Sequence, residues 1–107
     1  MKSILTVTAM GAALILVSAS GAWAQGDAKD LYLSKCATCH GPDGAAKTAM
    51  GRKLKVKSAH DATAAMSPEA MIKIVTDGKG QDMDAYGKQF KPDQIKGLVE
   101  YYRGLGK

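Results

Sequence analysis

Two cysteines, Cys36 and Cys39, and the histidine that follows them, His40, are the residues of this 107-residue chain with the most distinctive chemistry. The chain has no other cysteine and one further histidine, His60. A structural zinc site needs four ligands at characteristic spacing, and a redox dithiol needs a surrounding βαβ pattern; the sequence supplies neither. A disulfide between residues this close would constrain almost no loop entropy. The remaining interpretation of Cys-x-x-Cys-His is covalent haem attachment.

The order of residues in this motif suits that chemistry. Two thiols three residues apart on a helical turn point to the same side, so Cys36 and Cys39 can reach the two vinyl groups along one edge of a haem. The imidazole of His40 then projects onto the iron as a strong axial ligand. Ala37 and Thr38 are small spacers.

The apolar residues are unevenly distributed along the chain. Hydrophobic types make up 46% of it, yet the 83 residues after Ala24 contain only twelve Leu, Ile, Val and Phe, about 14%. That fraction lies below the roughly 20% at which chains begin to resemble disordered ones. The composition excludes two domains, a large enzyme cleft and a transmembrane bundle, and it leaves open what completes the core.

The first 24 residues explain this imbalance. Lys2 precedes an apolar run from Ile4 to about Val17, and the run is followed by small residues and the triplet Ala22-Trp23-Ala24. This pattern predicts a secretory signal peptide over residues 1–24, cleaved after Ala24, and a single domain over residues 25–107. An uncleaved membrane anchor is the alternative. The predicted location is the bacterial periplasm, without stable membrane insertion after cleavage.

The charge of the predicted mature chain is mildly positive. It has 14 Lys and Arg against 10 Asp and Glu, a net charge of +4, which is too low and too dispersed to predict a nucleic-acid partner. Lysines near the expected haem edge would steer acidic redox partners to it, or they simply solvate the surface. These lysines are Lys35, Lys47, Lys53, Lys55, Lys57, Lys79, Lys88 and Lys91.

Three helices are predicted from capping signals and apolar periodicity. The first runs from about Asp27 into the motif. The second starts after Ser67, an N-cap candidate, and stops at Gly78. The third starts at Pro92, and its apolar residues repeat at helical spacing. The stretch from Ala45 through His60 is expected to be a loop with at most one helical turn.

With these segments in place, the whole mature chain resembles class I cytochromes c of the small bacterial monohaem type. Three segments carry the resemblance: Cys36-Ala37-Thr38-Cys39-His40-Gly41-Pro42-Asp43-Gly44, Asp77-Gly78-Lys79-Gly80-Gln81-Asp82-Met83 and Leu98-Val99-Glu100-Tyr101-Tyr102-Arg103. The resemblance implies an all-α fold of three to four helices around one covalently bound haem c, with crossed N- and C-terminal helices. Ala28 would lie at that crossing, with Tyr32 near Leu98 and Tyr101. The family also implies a backbone carbonyl that accepts from the second His40 nitrogen, here in the Lys47 to Gly51 region.

The second axial ligand of the iron is predicted to be Met83. It lies in a polar, Gly-rich loop where a methionine has little packing reason to be, and the resemblance places the axial methionine there. The family usually has proline next, whereas this chain has Asp84, which removes rigidity and adds charge. Met50 and His60 remain alternatives, and Met66 and Met71 are better explained as core residues.

The predicted function is non-enzymatic, single-electron transfer by a monomeric carrier, with metal ligands His40 and Met83. Two alternatives stay open. One is a haem enzyme or a gas- or peroxide-binding sensor with a labile sixth ligand. The other is an electron-relay subunit of a larger complex.

Overall fold

The computed structural model describes residues 25–107. Six helices occur in this part of the chain: α1 Gln25–Lys35, α2 Ala37–His40, α3 Ala49–Lys53, α4 Ala59–Ala65, α5 Pro68–Asp77 and α6 Pro92–Leu105. The described residues form no β-strand, and a single antiparallel bridge pairs Lys79 with Met83. The all-α prediction is confirmed. The predicted signal peptide, residues 1–24, lies outside the described residues.

The packing of α1 against α6 forms the centre of the core. Tyr32 of α1 is 2% exposed, and its ring centroid lies 5.2 Å from that of Tyr101 in α6. Burial raises the pKa of Tyr32 above its usual range, so the hydroxyl stays protonated. It donates a 2.6 Å hydrogen bond to the carbonyl of Gly41. The predicted contact between the terminal helices is therefore present, and Ala28 is buried as expected.

Helices α5 and α6 begin where the sequence predicts. The Ser67 hydroxyl accepts a 3.2 Å hydrogen bond from the Ala70 amide, and Pro68 occupies the first turn of α5. Lys91 lacks a capping oxygen, and the Gln94 side chain supplies one instead by accepting from the Lys91 amide at 2.7 Å. This bond satisfies one amide at the start of α6.

Helix α4 is the main difference from the prediction, which left residues 61–65 without a helix. Its seven residues are mostly alanine, so they carry no apolar stripe that periodicity would detect. Two other features stabilise it. The Ser58 hydroxyl accepts from the Asp61 amide at 3.1 Å, and Ala59, 1% exposed, donates its amide to the Gly44 carbonyl at 2.7 Å. The shorter α3 fits the single helical turn that was expected.

Within residues 25–107, no helix is long and apolar enough to cross a membrane.

Candidate functional site

The helices enclose a cavity of about 320 Å³, open on one side, between α1, α2, α5 and α6. Its walls are mainly apolar, with side chains that include Leu54, Val56, Met66, Met71, Ile74 and Val75. All four predicted site residues contribute to the lining: Cys36, Cys39, His40 and Met83. The fold therefore brings a segment at the start of the domain and a loop more than forty residues later to one cavity.

A turn at Cys36 separates α1 from α2 and directs the motif toward the cavity. The Cys36 amide donates to the Tyr32 carbonyl at 2.8 Å, and the His40 amide donates to the Cys36 carbonyl at 3.0 Å. The two thiols are not bonded to each other. Burial, with a contribution from Cys39, raises the pKa of the Cys36 thiol to about 11. This thiol is therefore neutral at pH 7 and suits an apolar wall.

His40 presents a neutral imidazole to the same cavity. Burial lowers its pKa below the usual value, and the neutral form is the one that ligates metals. Its Nδ1 is buried without a hydrogen-bond partner. Such an atom is uncommon in a folded protein and calls for a physical explanation. The edge of the Tyr102 ring packs beside the imidazole, with 5.2 Å between the ring centroids.

The loop after the motif forms hydrogen bonds to the backbone carbonyls of the motif and none to the His40 imidazole. The Thr48 hydroxyl donates to the Cys39 carbonyl at 3.1 Å, and the Ala46 amide donates to the His40 carbonyl at 2.8 Å. The expected acceptor for the second His40 nitrogen in the Lys47 to Gly51 region is absent from the described contacts. Through these two hydrogen bonds the loop holds the C-terminal end of α2.

Met83 is held in its loop by a pair of backbone hydrogen bonds. The Lys79 amide donates to the Met83 carbonyl at 2.9 Å, and the Met83 amide donates back to Lys79 at 3.3 Å. Gly80 makes the intervening turn possible with a φ of +57°. The sequence predicted a loss of rigidity from Asp84 in place of proline. The backbone hydrogen bonds between Lys79 and Met83 constrain the loop here in place of a proline.

The competing ligands lie elsewhere or serve other contacts. Met50 is 41% exposed and does not line the cavity. The His60 side chain is 78% exposed, and its Nδ1 lies 3.4 Å from Asp61. Met71 is buried, as expected of a core residue, and it also lines the cavity together with Met66. Met83 thus combines a position in the loop between α5 and α6 with access to the cavity, and the carbonyl of Met66, between α4 and α5, accepts a hydrogen bond from Arg103.

Sequence reasoning missed several residues of the cavity wall. Leu54, Val56, Ala62 and Tyr86 line it although the pattern placed the first two in a loop. Tyr86 also stacks on Phe90 at 5.2 Å and donates from its hydroxyl to the Lys35 carbonyl at 3.4 Å. Tyr86, three residues after Met83, thus lies beside the residue that precedes Cys36. No local signal in the sequence indicates this contact.

Gly51 sets how closely α3 approaches the motif. A Cβ built on Gly51 would lie against the Cys39 carbonyl oxygen and 2.6 Å from that of Ala46. Both atoms belong to the backbone and have little freedom to move. We expect Gly51→Ala to lower the free energy of unfolding by about 1–3 kcal/mol through overpacking, measured by denaturant titration of the holoprotein.

The matched control for this substitution is Gly104→Ala. Gly104 lies in α6, and a Cβ there would meet nothing within 4 Å. Because alanine favours helix over glycine by about 1 kcal/mol, this variant should be as stable as the parent protein or slightly more so. Equal stabilities for the two variants would show that α3 does not press on the motif.

Comparison with known proteins agrees with this geometry. The solved structure of the KustC0563 c-type cytochrome is 34% identical in sequence, superposes with a TM-score of 0.69, and is matched over 75% of this chain and 98% of its own. A mutant of KustC0563 gives 33% identity, a TM-score of 0.67, and coverage of 74% and 98%. The helical fold and the cavity thus define a c-type cytochrome domain.

The family is given by residues 24–101, which match the sequence profile described as cytochrome c oxidase, cbb3-type, subunit III; the chain belongs to this family. The cbb3-type cytochrome c oxidase subunit FixP of Azorhizobium caulinodans is 31% identical over an alignment of 82 residues, and the match covers 72% of this chain and 26% of FixP. The chain therefore spans about a quarter of the length of this curated relative.

A c-type cytochrome domain carries one covalently bound haem c, and the residues present fit that group. The cavity offers two thiols, a neutral imidazole, a thioether and apolar walls. Thiols attach a c-type haem, and imidazole and thioether are its usual axial ligands in electron carriers.

Proposed function

We propose that this protein is an exported monohaem cytochrome that carries single electrons between redox partners. In this proposal Cys36 and Cys39 attach the haem, and His40 and Met83 ligate its iron. The observation that carries it is that these four side chains line one cavity. The family and the c-type cytochrome KustC0563 support the electron-carrier class.

The chain's own residues bind, orient and shield the cofactor. When bound, the haem supplies one-electron chemistry by cycling between Fe(III) and Fe(II). His40 and Met83 would both hold the haem iron and would leave it no free position for a substrate, which is why we propose a carrier and not an enzyme. The apolar walls and the thioether ligand both favour the reduced state and raise the reduction potential.

Export to the periplasm is part of the proposal. Its support is the sequence pattern of residues 1–24 and the start of the family match at residue 24, next to the predicted cleavage site. In this proposal residues 25–107 belong to the mature protein.

The carrier function is tested by redox titration and ligand binding of the holoprotein. We expect a reversible one-electron transition and no rapid binding of CO by the reduced protein. Rapid CO binding would instead favour a sensor or an enzyme, because CO needs a position on the iron that Met83 does not occupy.

The opening of the cavity is positively charged, which supports acidic redox partners. Four of the eight predicted lysines line the cavity, namely Lys35, Lys55, Lys57 and Lys79, against one carboxylate, Asp82. All four lysines are exposed. Charges arranged in this way attract negatively charged partners and speed association at low ionic strength.

Charge reversal at this opening should therefore change electron-transfer rates in a direction set by the oxidant. For Lys57→Glu combined with Lys79→Glu, we expect oxidation of the reduced protein by anionic hexacyanoferrate(III) to slow several-fold at low salt. Oxidation by cationic tris(phenanthroline)cobalt(III) should accelerate. Both differences should fade at high salt because exposed charges are screened. Stopped-flow absorbance gives these rates.

The control carries the same change in net charge away from the opening. Lys96→Glu combined with Lys107→Glu alters two exposed lysines that do not line the cavity. If this pair changed the rates as much as Lys57→Glu with Lys79→Glu, the effect would reflect total charge, and the proposal of a docking surface at the opening would fail.

A second candidate function is an electron-relay subunit that works inside a larger complex. The family description and the match to an oxidase subunit favour it. Size-exclusion chromatography with light scattering of the purified protein, together with purification from the native membrane, distinguishes the two functions. A stable monomer that exchanges electrons with soluble proteins supports the free carrier, whereas co-purification with oxidase subunits from the native membrane supports the relay.

A further inference from the structure

Arg103 places a permanent positive charge behind the wall of the cavity. It lies in the last turn of α6 and is half-buried. Its Nη1 donates a 2.7 Å hydrogen bond to the carbonyl of Met66 and lies 3.7 Å from the sulfur of Met71. Both methionines line the cavity, whereas Arg103 does not. The guanidinium is therefore one residue layer away from the cavity.

This charge has no carboxylate partner among residues 25–107. The one pair within 4.0 Å in that part of the chain is His60 with Asp61. A guanidinium remains protonated at any accessible pH, and its contacts here are a carbonyl dipole and a thioether. The positive charge of Arg103 is thus solvated by dipoles and is not cancelled by a negative charge.

Burial distinguishes Arg103 from the lysines at the opening. Lys35, Lys55, Lys57 and Lys79 are exposed, so water and salt weaken their effect on the interior. Arg103 acts across the half-buried and buried side chains of Met66 and Met71, where the effective dielectric constant is lower. A fixed positive charge in such surroundings stabilises the reduced form of a redox group in the cavity relative to its oxidised form.

From these contacts we infer that Arg103 raises the reduction potential of the cofactor through its charge. It is a positioning residue with an electrostatic role, since it contacts two residues of the cavity wall and does not itself line the cavity. The inference rests on the proposed electron-carrier function. Arg103 of α6 would thus contribute to the driving force of electron transfer.

The test measures the midpoint potential of holoprotein variants by spectroelectrochemical titration. Arg103→Gln removes the charge and keeps a polar group, and Arg103→Lys keeps the charge and alters the contacts. We expect the first to lower the ratio of reduced to oxidised protein at a fixed ambient potential several-fold, at both low and high salt. The second should stay close to the parent protein.

Lys96→Gln is the matched control, because it removes one exposed positive charge from the same helix and should leave the potential unchanged. Arg103→Met, which fills the space without a charge, replaces Arg103→Gln if the latter does not retain haem. An unchanged potential in the uncharged variants would overturn the inference, as would equal shifts in Arg103→Lys and Arg103→Gln. The absence of a reversible one-electron transition in the parent protein would instead contradict the proposed function.

Discussion

Replacing Cys36 and Cys39 together with serine is expected to leave residues 25–107 largely unfolded. The buried apolar residues are few, and three of the eight are alanine: Ala28, Tyr32, Ala46, Ala59, Met71, Ile95, Leu98 and Val99. The cavity of about 320 Å³ is open on one side, so without haem the apolar side chains that line it would face water and would lose the free energy of burial, about 25 cal/mol per Å² of apolar surface. The whole stability of a small domain is only about 5–15 kcal/mol, so this loss leaves little to hold the fold.

Far-UV circular dichroism and thermal melting check this expectation. The double variant, purified without added haem, should show a low helical signal and no cooperative transition. The single variants Cys36→Ser and Cys39→Ser are the controls, because each retains one thiol for attachment and should retain helical structure. A double variant with the helical signal and melting cooperativity of the parent protein would show that the polypeptide completes its core alone.

Met83→Ala should abolish the iron–sulfur charge-transfer band of the ferric protein and allow the reduced protein to bind CO. The physical reason is that the substitution removes the thioether that we propose as the second axial ligand. The backbone bridge between Lys79 and Met83 does not depend on the side chain, so the loop should keep its path. Absorption spectra of the ferric and the CO-treated reduced protein give both readouts.

Met50→Ala is the control for this experiment, since Met50 is 41% exposed and lies outside the cavity lining. It should keep the band and exclude CO. Met66→Leu and Met71→Leu should also keep the band, because these residues serve as wall and core. Survival of the band in Met83→Ala would exclude Met83 as the ligand, and its loss in Met66→Leu or Met71→Leu would reassign the role.

The features that the sequence predicts well are those encoded locally. The Cys36 to His40 motif is contiguous and its helical turn borders the cavity, and the start of α5 is specified by Ser67 and Pro68. The terminal helix is specified by a repeat that buries Ile95, Leu98 and Val99. In each case one short segment contains both the signal and its physical cause, so periodicity and capping rules suffice.

The features that the sequence does not predict depend on contacts between distant segments. Helix α4 lacks an apolar stripe and is positioned by Ala59 against Gly44. The sequence shows only that Met66 precedes the N-cap residue Ser67. In the structure Met66 lines the cavity, and its carbonyl accepts a hydrogen bond from Arg103, 37 residues away. Gly51 is a helix-weakening residue in isolation, and only the nearby carbonyls of Cys39 and Ala46 explain it.

The intact mass of protein matured together with haem-attachment enzymes tests the central claim most directly. Our account predicts the mass of residues 25–107 plus one haem, with the added mass on a peptide that contains Cys36 and Cys39. The denatured protein should retain this haem, because thioether bonds do not dissociate. A mass without haem, or haem on any other peptide, would contradict the assignment of this site.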